Sequence, residues 1–267
     1  MAEMVQADYN VSLSHTSISK SLQGSLISLK KSHFVPNIAN SINNKELRRA
    51  YVESLLNYSA QERQFVFLDE TNFNLFISRS QGRAPVGQRT NVIRPTSRGK
   101  NIHLIGGIGS NGFKYFESRR GSFTMELAQQ FIQRCLRSAQ QFFAGQQIVL
   151  IIDNAPCHSQ AEQVFLESEF SNCTLLRLGP YSPMLNPIES VWSQIKTMCK
   201  RQLAIEMDYI LSYRAEGNVS ATEFRLQCLE RIINTSCQEV SRSNILQYMA
   251  GVQRFYAGVL NLDNVDF

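Results

Sequence analysis

The 267-residue sequence has no run near the roughly 18 to 20 consecutive apolar residues of a membrane-spanning helix. Its start, MAEMVQADYN, lacks the basic-then-apolar order of a secretory signal, so a soluble intracellular protein that engages no membrane is expected. The six cysteines (Cys135, Cys157, Cys173, Cys199, Cys228 and Cys237) include no C-x-x-C pair, and only four histidines accompany them. That spacing supports neither a zinc site nor a disulfide framework; reduced, mostly buried thiols are the expectation. Cys157 beside His158 is no protease dyad either, because neighbours on an extended chain point apart. Acidic residues are missing altogether from positions 79 to 100.

What is present is a 43% hydrophobic, 18% charged chain, enough for one sizeable core and a smaller appendage. The net charge of +5 hides an uneven distribution. Residues 10 to 60 carry six Lys/Arg (Lys20, Lys30, Lys31, Lys45, Arg48, Arg49) against two acids, and residues 79 to 100 carry six against none. The remainder of the chain is therefore at −5. An acid-free loop with Gly, Pro, Ser and Thr between its arginines suits a phosphate backbone, so a nucleic-acid partner is expected.

Along the chain, residues 11 to 22 read as a short helix capped by Ser14 with Ile18 and Leu22 inward, and LISLKK as a short strand with a basic end. Such a helical module with a wing offers its helix start to a DNA groove. An asparagine-rich linker leads to a helix holding Leu47, Tyr51, Leu55 and Leu56. QFVFLDETNFNLFIS reads as two β-rich runs broken by a turn at residues 70 to 72. Ser110-Asn111-Gly112 marks a hairpin. A helix with Leu127, Phe131, Cys135 and Leu136 inward follows, then IVLII, a strand buried on both faces. A helix over 159–168, the strand CTLLRL and a long helix complete an antiparallel-then-alternating series, which describes an α/β sheet with helices on both sides. Helices packing Leu226, Leu229, Ile233, Ile245, Met249, Val252 and Phe255 make up the tail, with RAEGNVSAT as an exposed loop.

Two strands of this series end in Asp69 and Asp153, and Glu189 opens the helix after the last strand. Each has an ordinary reading. The aspartates suit turns, while in LNPIE, Asn186 suits an N-cap, Pro187 the first helical position and Glu189 the closing of a capping box. Yet carboxyl ends of strands are where α/β sheets build sites, and three carboxylates on one rim repel unless a divalent cation lies between them. Mg²⁺ takes such hard oxygen ligands, and a pair of ions roughly 3.5–4 Å apart activates an attacking oxygen and stabilises a leaving one at a phosphodiester. Glu70, next to Asp69, is set aside because an extended strand turns it the other way.

VFLDETNF, GRAPVGQR, LIIDNAPCH and PYSPMLNPIESVWSQIK, in that order, closely resemble the catalytic domain of the Tc/mariner superfamily of DDE transposases, over about residues 63 to 201. The resemblance implies an RNase H-like fold: a mixed sheet flanked by helices, preceded by a small helical segment. It also implies that Asp69, Asp153 and Glu189, with 35 residues between the last two, are the catalytic metal-binding triad for Mg²⁺ or Mn²⁺. In the implied two-metal reaction, water hydrolyses a phosphodiester at a transposon end and the released 3′-hydroxyl attacks target DNA.

Asn154 and His158 match the family's D-N-x-x-x-H and are expected to support the triad or touch DNA. Arg79, Arg83, Arg89, Arg94 and Arg98 are the expected contacts to double-stranded DNA in this domain. Ser14, His15, Thr16, Ser19 and Lys20 are the expected contacts in a segment like the second half of the family's paired helix-turn-helix. The expected organisation is a partial helix-turn-helix segment (1–36), a linker and helix (37–62) and a catalytic domain with C-terminal helices (63–267). A homodimer, a nuclear location if the source is eukaryotic, and a truncated or host-adopted element are further expectations. Two rivals stand beside this reading: a catalytically silent, transposase-derived DNA-binding protein, and another RNase H-like nuclease such as a junction resolvase.

Overall fold

The computed structural model describes residues 2–24, 36–78, 84–89, 91, 99–214 and 219–265. The chain forms two compact units, Met1–Pro36 with Phe267, and Asn37–Asp266.

In the smaller unit lie helices α1 (Ala2–Tyr9) and α2 (His15–Gly24). Ser14 starts α2 as its composition predicts, its Oγ accepting the N–H of Ser17 at 3.1 Å. Ile18 and Leu22 are half-buried. The strand expected at LISLKK falls outside the described residues.

The larger unit opens with α3 (Ile42–Ala60), whose N-cap Ser41 accepts from the N–H of Asn44. Its inward face is Arg48, Tyr51, Val52 and Leu55. Leu47 and Leu56, expected inside, are exposed: the helix is rotated so that Arg48 turns inward in place of Leu47. Five strands follow, β1 (Gln64–Phe73), β2 (Ile102–Gly109), β3 (Lys114–Arg120), β4 (Ile148–Ile152) and β5 (Cys173–Arg177), in the spatial order β3-β2-β1-β4-β5. β1, β2 and β3 pair antiparallel, whereas β1, β4 and β5 run parallel. Asn111 (φ 56°) and Gly112 (φ 82°) make the β2–β3 turn, and two successive left-handed residues are what a tight hairpin of matching twist requires.

Two sequence expectations change here. β1 is one continuous ten-residue strand with no turn at residues 70 to 72 and no end at Asp69, because its pairing with β2 runs unbroken from Val66 to Phe73. Residues 159–168 do not form an α-helix; they fold as short 3₁₀ segments, chiefly Ala161–Leu166, that bury Ala161 and Val164.

Helix α4 (Met125–Phe142) covers one face of the sheet and α5 (Ile188–Ser212) the other, joined there by α6 (Ala221–Gln238), α7 (Arg242–Val252) and α8 (Tyr256–Leu260). Period-2 alternation sorts the strand residues between two cores. Val66, Leu68, Ile148, Leu150 and Ile152 pack on the α4 side, and Phe67, Val149 and Ile151 on the α5 side. Burial on both faces is why IVLII reads as an unbroken apolar run.

Candidate active site

The parallel β1–β4 pair sets Phe67 opposite Ile151. The same offset carried two residues further brings Asp69 level with Asp153, both with the parity of the α5 face. Glu189, in the first turn of α5, adds the third carboxylate. All three line one cleft of about 480 Å³ with Asn154, Ser182 and Asn186. The structure thus brings together the three residues that sequence spacing singled out.

The two aspartates are held differently. Asp69 is half-buried, and its Oδ2 accepts the indole N–H of Trp192 at 2.9 Å. Burial, then the neighbouring Glu189 charge, push its carboxyl up to about 7. Trp192 reaches that position because Gly106, directly opposite Asp69 on β2, leaves room for its ring. A Cβ at Gly106 would lie 2.3 Å from Phe116 and 2.8 Å from Trp192.

At Asp153 burial also favours the neutral form, but hydrogen bonds outweigh it and the carboxyl is held below its usual range. Its Oδ1 accepts from His158 Nδ1 at 2.7 Å and from the N–H of Ala155 at 3.0 Å. Glu189 is raised by desolvation, with Lys196 opposing and the Asp153 charge adding to the rise.

His158 is fully buried and makes a second bond, from Nε2 to Glu70 Oε1, at 2.7 Å. Burial disfavours its charge, yet the two carboxylates win and raise its pKa to about 9, so the ring is doubly protonated and donates to both. Glu70 was set aside because strand alternation turns it from Asp69. It does turn away, to the α4 side, and there meets the loop that returns from Asp153. No sequence signal within β1 predicts this meeting, since His158 lies 88 positions further on. Arg177 locks the same loop, donating to the carbonyls of Asp153 (2.9 Å) and His158 (2.7 Å). Asn154 donates to the Leu178 carbonyl at 3.0 Å and so fastens the cleft wall.

The capping reading of Glu189 is corrected. α5 begins without a side-chain cap, and the Asn186 Oδ1 is buried with no hydrogen-bond partner. The backbone carbonyls of Asn186 and Pro187 serve the helix start instead, accepting the N–H groups of Glu189 and Ser190, each at 3.2 Å. Glu189 therefore has no cap to close.

Arg48, one of the six basic residues between positions 10 and 60, does not lie on the surface. It is 1% exposed and donates to the carbonyls of Ala39 (2.7 Å) and Pro180 (3.3 Å), bracing the loop that walls the cleft. Of the expected DNA contacts, Arg89, Ser14, Thr16, Ser19 and Lys20 are exposed. Arg79, Arg83, Arg94 and Arg98, and the side chain of His15, lie outside the described residues.

A divalent cation suits the triad's donor set. Three hard carboxylates face one cleft, one of them lifted by burial and by its neighbour's charge, with a buried, unpartnered amide oxygen beside them. The three do not converge on a single point. Among the described residues, the one set of three mixed donors within 4.8 Å is Glu70, Cys157 and His158.

Comparison with known proteins agrees with this geometry. No curated protein matches the chain in sequence. Solved structures of the Mos1 mariner transposase share its fold. The paired-end complex with Mn superposes with a TM-score of 0.69 at 18% identity, covering 100% of this chain and 75% of that one. The paired-end complex with Mg gives 0.61 at 19%, covering 97% and 74%. The complex with the left transposon end gives 0.67 at 17%, covering 97% and 73%. The mixed sheet with helices on both faces is thus the RNase H-like fold of that transposase. Residues 64–209, which contain all three rim carboxylates, match the model of the DDE superfamily endonuclease family, and the chain belongs to that family.

Proposed function

We propose that this protein cuts and joins DNA phosphodiesters using two Mg²⁺ ions, with Mn²⁺ able to substitute, held by Asp69, Asp153 and Glu189. The observation that carries the reading is the common cleft of the three carboxylates, with Asp69 pushed up to about 7 by burial and by Glu189. When bound, the ions supply charge neutralisation at the rim, activation of the attacking oxygen and stabilisation of the leaving one.

The chain's own residues provide the frame. Trp192 fixes one oxygen of Asp69, and His158, braced by Glu70, fixes one oxygen of Asp153. Arg177 and Asn154 hold the loop between Asp153 and His158 and the wall opposite, so that the carboxylates are set before substrate arrives. Double-stranded DNA is the proposed substrate. The Mos1 relatives are solved with transposon-end DNA, and the acid-free segment 79–100, including exposed Arg89, gives the backbone contacts such a substrate needs. The exposed start of α2 is the proposed second DNA contact.

The test is nicking of supercoiled plasmid by the purified chain with Mg²⁺ or Mn²⁺, beside Asp153→Asn and Glu189→Gln variants shown to be folded. Metal-dependent nicking that falls at least about 10³-fold in both variants supports the reading. A folded parent that binds DNA and never nicks it replaces the reading with that of a catalytically silent DNA-binding protein.

A further inference from the structure

We propose that Glu70, Cys157 and His158 form a binding site for a soft divalent cation of the zinc type, distinct from the carboxylate cleft. Each residue offers one donor atom of a different kind, and the three lie within 4.8 Å of one another. Cys157 Sγ is 3.8 Å and His158 Nε2 2.7 Å from the same atom, Glu70 Oε1. In a tetrahedral zinc site with bonds of about 2.0–2.3 Å, ligand atoms stand roughly 3.3–3.7 Å apart. The thiol is therefore already at ligand distance from Glu70, and the ring and carboxylate need to part by only about half an ångström.

The ion takes the place of the proton between Nε2 and Glu70. Binding releases that proton and the Cys157 thiol proton to solvent, leaving thiolate, neutral imidazole and carboxylate as ligands. Behind the ring, Nδ1–H stays bonded to Asp153 Oδ1, which is the carboxylate–histidine–metal arrangement that fixes ring orientation in zinc sites. The donor set discriminates between ions. A thiolate and an imidazole favour zinc-type cations, whereas Mg²⁺ requires the hard oxygens of the neighbouring cleft. Glu70 and Cys157 are half-buried, so an ion can enter, while the other five cysteines are buried. Sequence spacing hides the site because its third ligand comes from β1, far from the adjacent Cys157 and His158.

The experiment is titration of the reduced full chain with Co²⁺, which reports thiolate ligation as a charge-transfer absorption in the near ultraviolet. One equivalent is expected to saturate the band and Zn²⁺ to displace it. Cys157→Ser removes the band, Glu70→Gln weakens binding about 10-fold or more, and Asp69→Asn and Glu189→Gln leave it intact. Absence of a thiolate band in the parent overturns the proposal. So does a band that persists in folded Cys157→Ser, or one that disappears in folded Asp69→Asn or Glu189→Gln. If Cys157→Ser does not fold, alkylation of the folded parent decides: Zn²⁺ slows modification of Cys157 at least about 10-fold, and unchanged reactivity overturns the site. None of these readouts uses DNA cleavage, so the proposal stands or falls apart from the nuclease reading.

Discussion

Asp69 lies within β1 and Asp153 directly follows β4, its parallel neighbour, yet the first carboxyl is lifted to about 7 by burial beside Glu189 and the second is held down by His158. Both are partly desolvated, so burial alone does not separate them. The difference is the company each keeps: Asp69 has a neutral indole N–H and a like charge, whereas Asp153 has an imidazolium that a second carboxylate, Glu70, keeps protonated. One half of the rim sets two carboxylates against each other with Lys196 opposing, and the other sets an imidazolium directly on Asp153. Such a cleft gains most from a cation on the Asp69–Glu189 side, while the Asp153 side is positioned without one.

The comparison breaks most completely if its compensating charge is removed. His158→Ala leaves Glu70 and Asp153 without their shared partner and opens a cavity, and urea denaturation is expected to show a loss of about 3 kcal/mol. The pH dependence has a definite sign. A folded-state pKa raised to about 9 gives stability that is full below about 6.5 and is lost as pH rises through 9. The parent should therefore lose stability across that window, and His158→Ala should show no such loss from this group.

Removing the Asp69 charge acts in the opposite direction. Asp69→Asn is expected to stabilise the metal-free protein by about 2 kcal/mol above pH 7, allowing for solvent at the cleft. The sign follows from a carboxyl raised from 3.8 to about 7: the folded state binds more protons between those values, so parent stability falls as pH rises through them. The gain should vanish by about pH 4. Thermal melts with Mg²⁺ sharpen the same point, since the ion should raise Tm for the parent and much less for Asp69→Asn.

Gly106→Ala tests the scaffold beneath Asp69. The added Cβ must displace Phe116 or Trp192, with an expected cost of about 1.5 kcal/mol in denaturant titration. The smallest effect belongs to Trp192→Phe, which keeps an aromatic ring but removes the N–H from Asp69. A loss of about 1 kcal/mol is expected, with the Asp69 carboxyl titrating higher still by NMR.

Much of the frame was legible before any coordinates. Alternation and apolar runs located the strands, and Asn111-Gly112 located the hairpin. The misreadings have physical causes. Residues 70 to 72 look like a turn because Glu, Thr and Asn are polar, but pairing with β2 overrides that local preference. The burial of Arg48 is likewise not written in its own segment, because its carbonyl partners, among them Pro180, arrive through the fold.

The sequence by itself determined that Asp69 and Asp153 share one face of the sheet, because strand parity along β1 and past the end of β4 is a local property that a period of two makes readable. Only the tertiary structure decided how those carboxylates differ. The chain leaves β4 at Asp153 and turns back through Cys157 and His158 to meet Glu70 on the opposite face of β1. A charge brought across the sheet in this way leaves no mark in either segment, because it depends on where two distant pieces of chain come to rest.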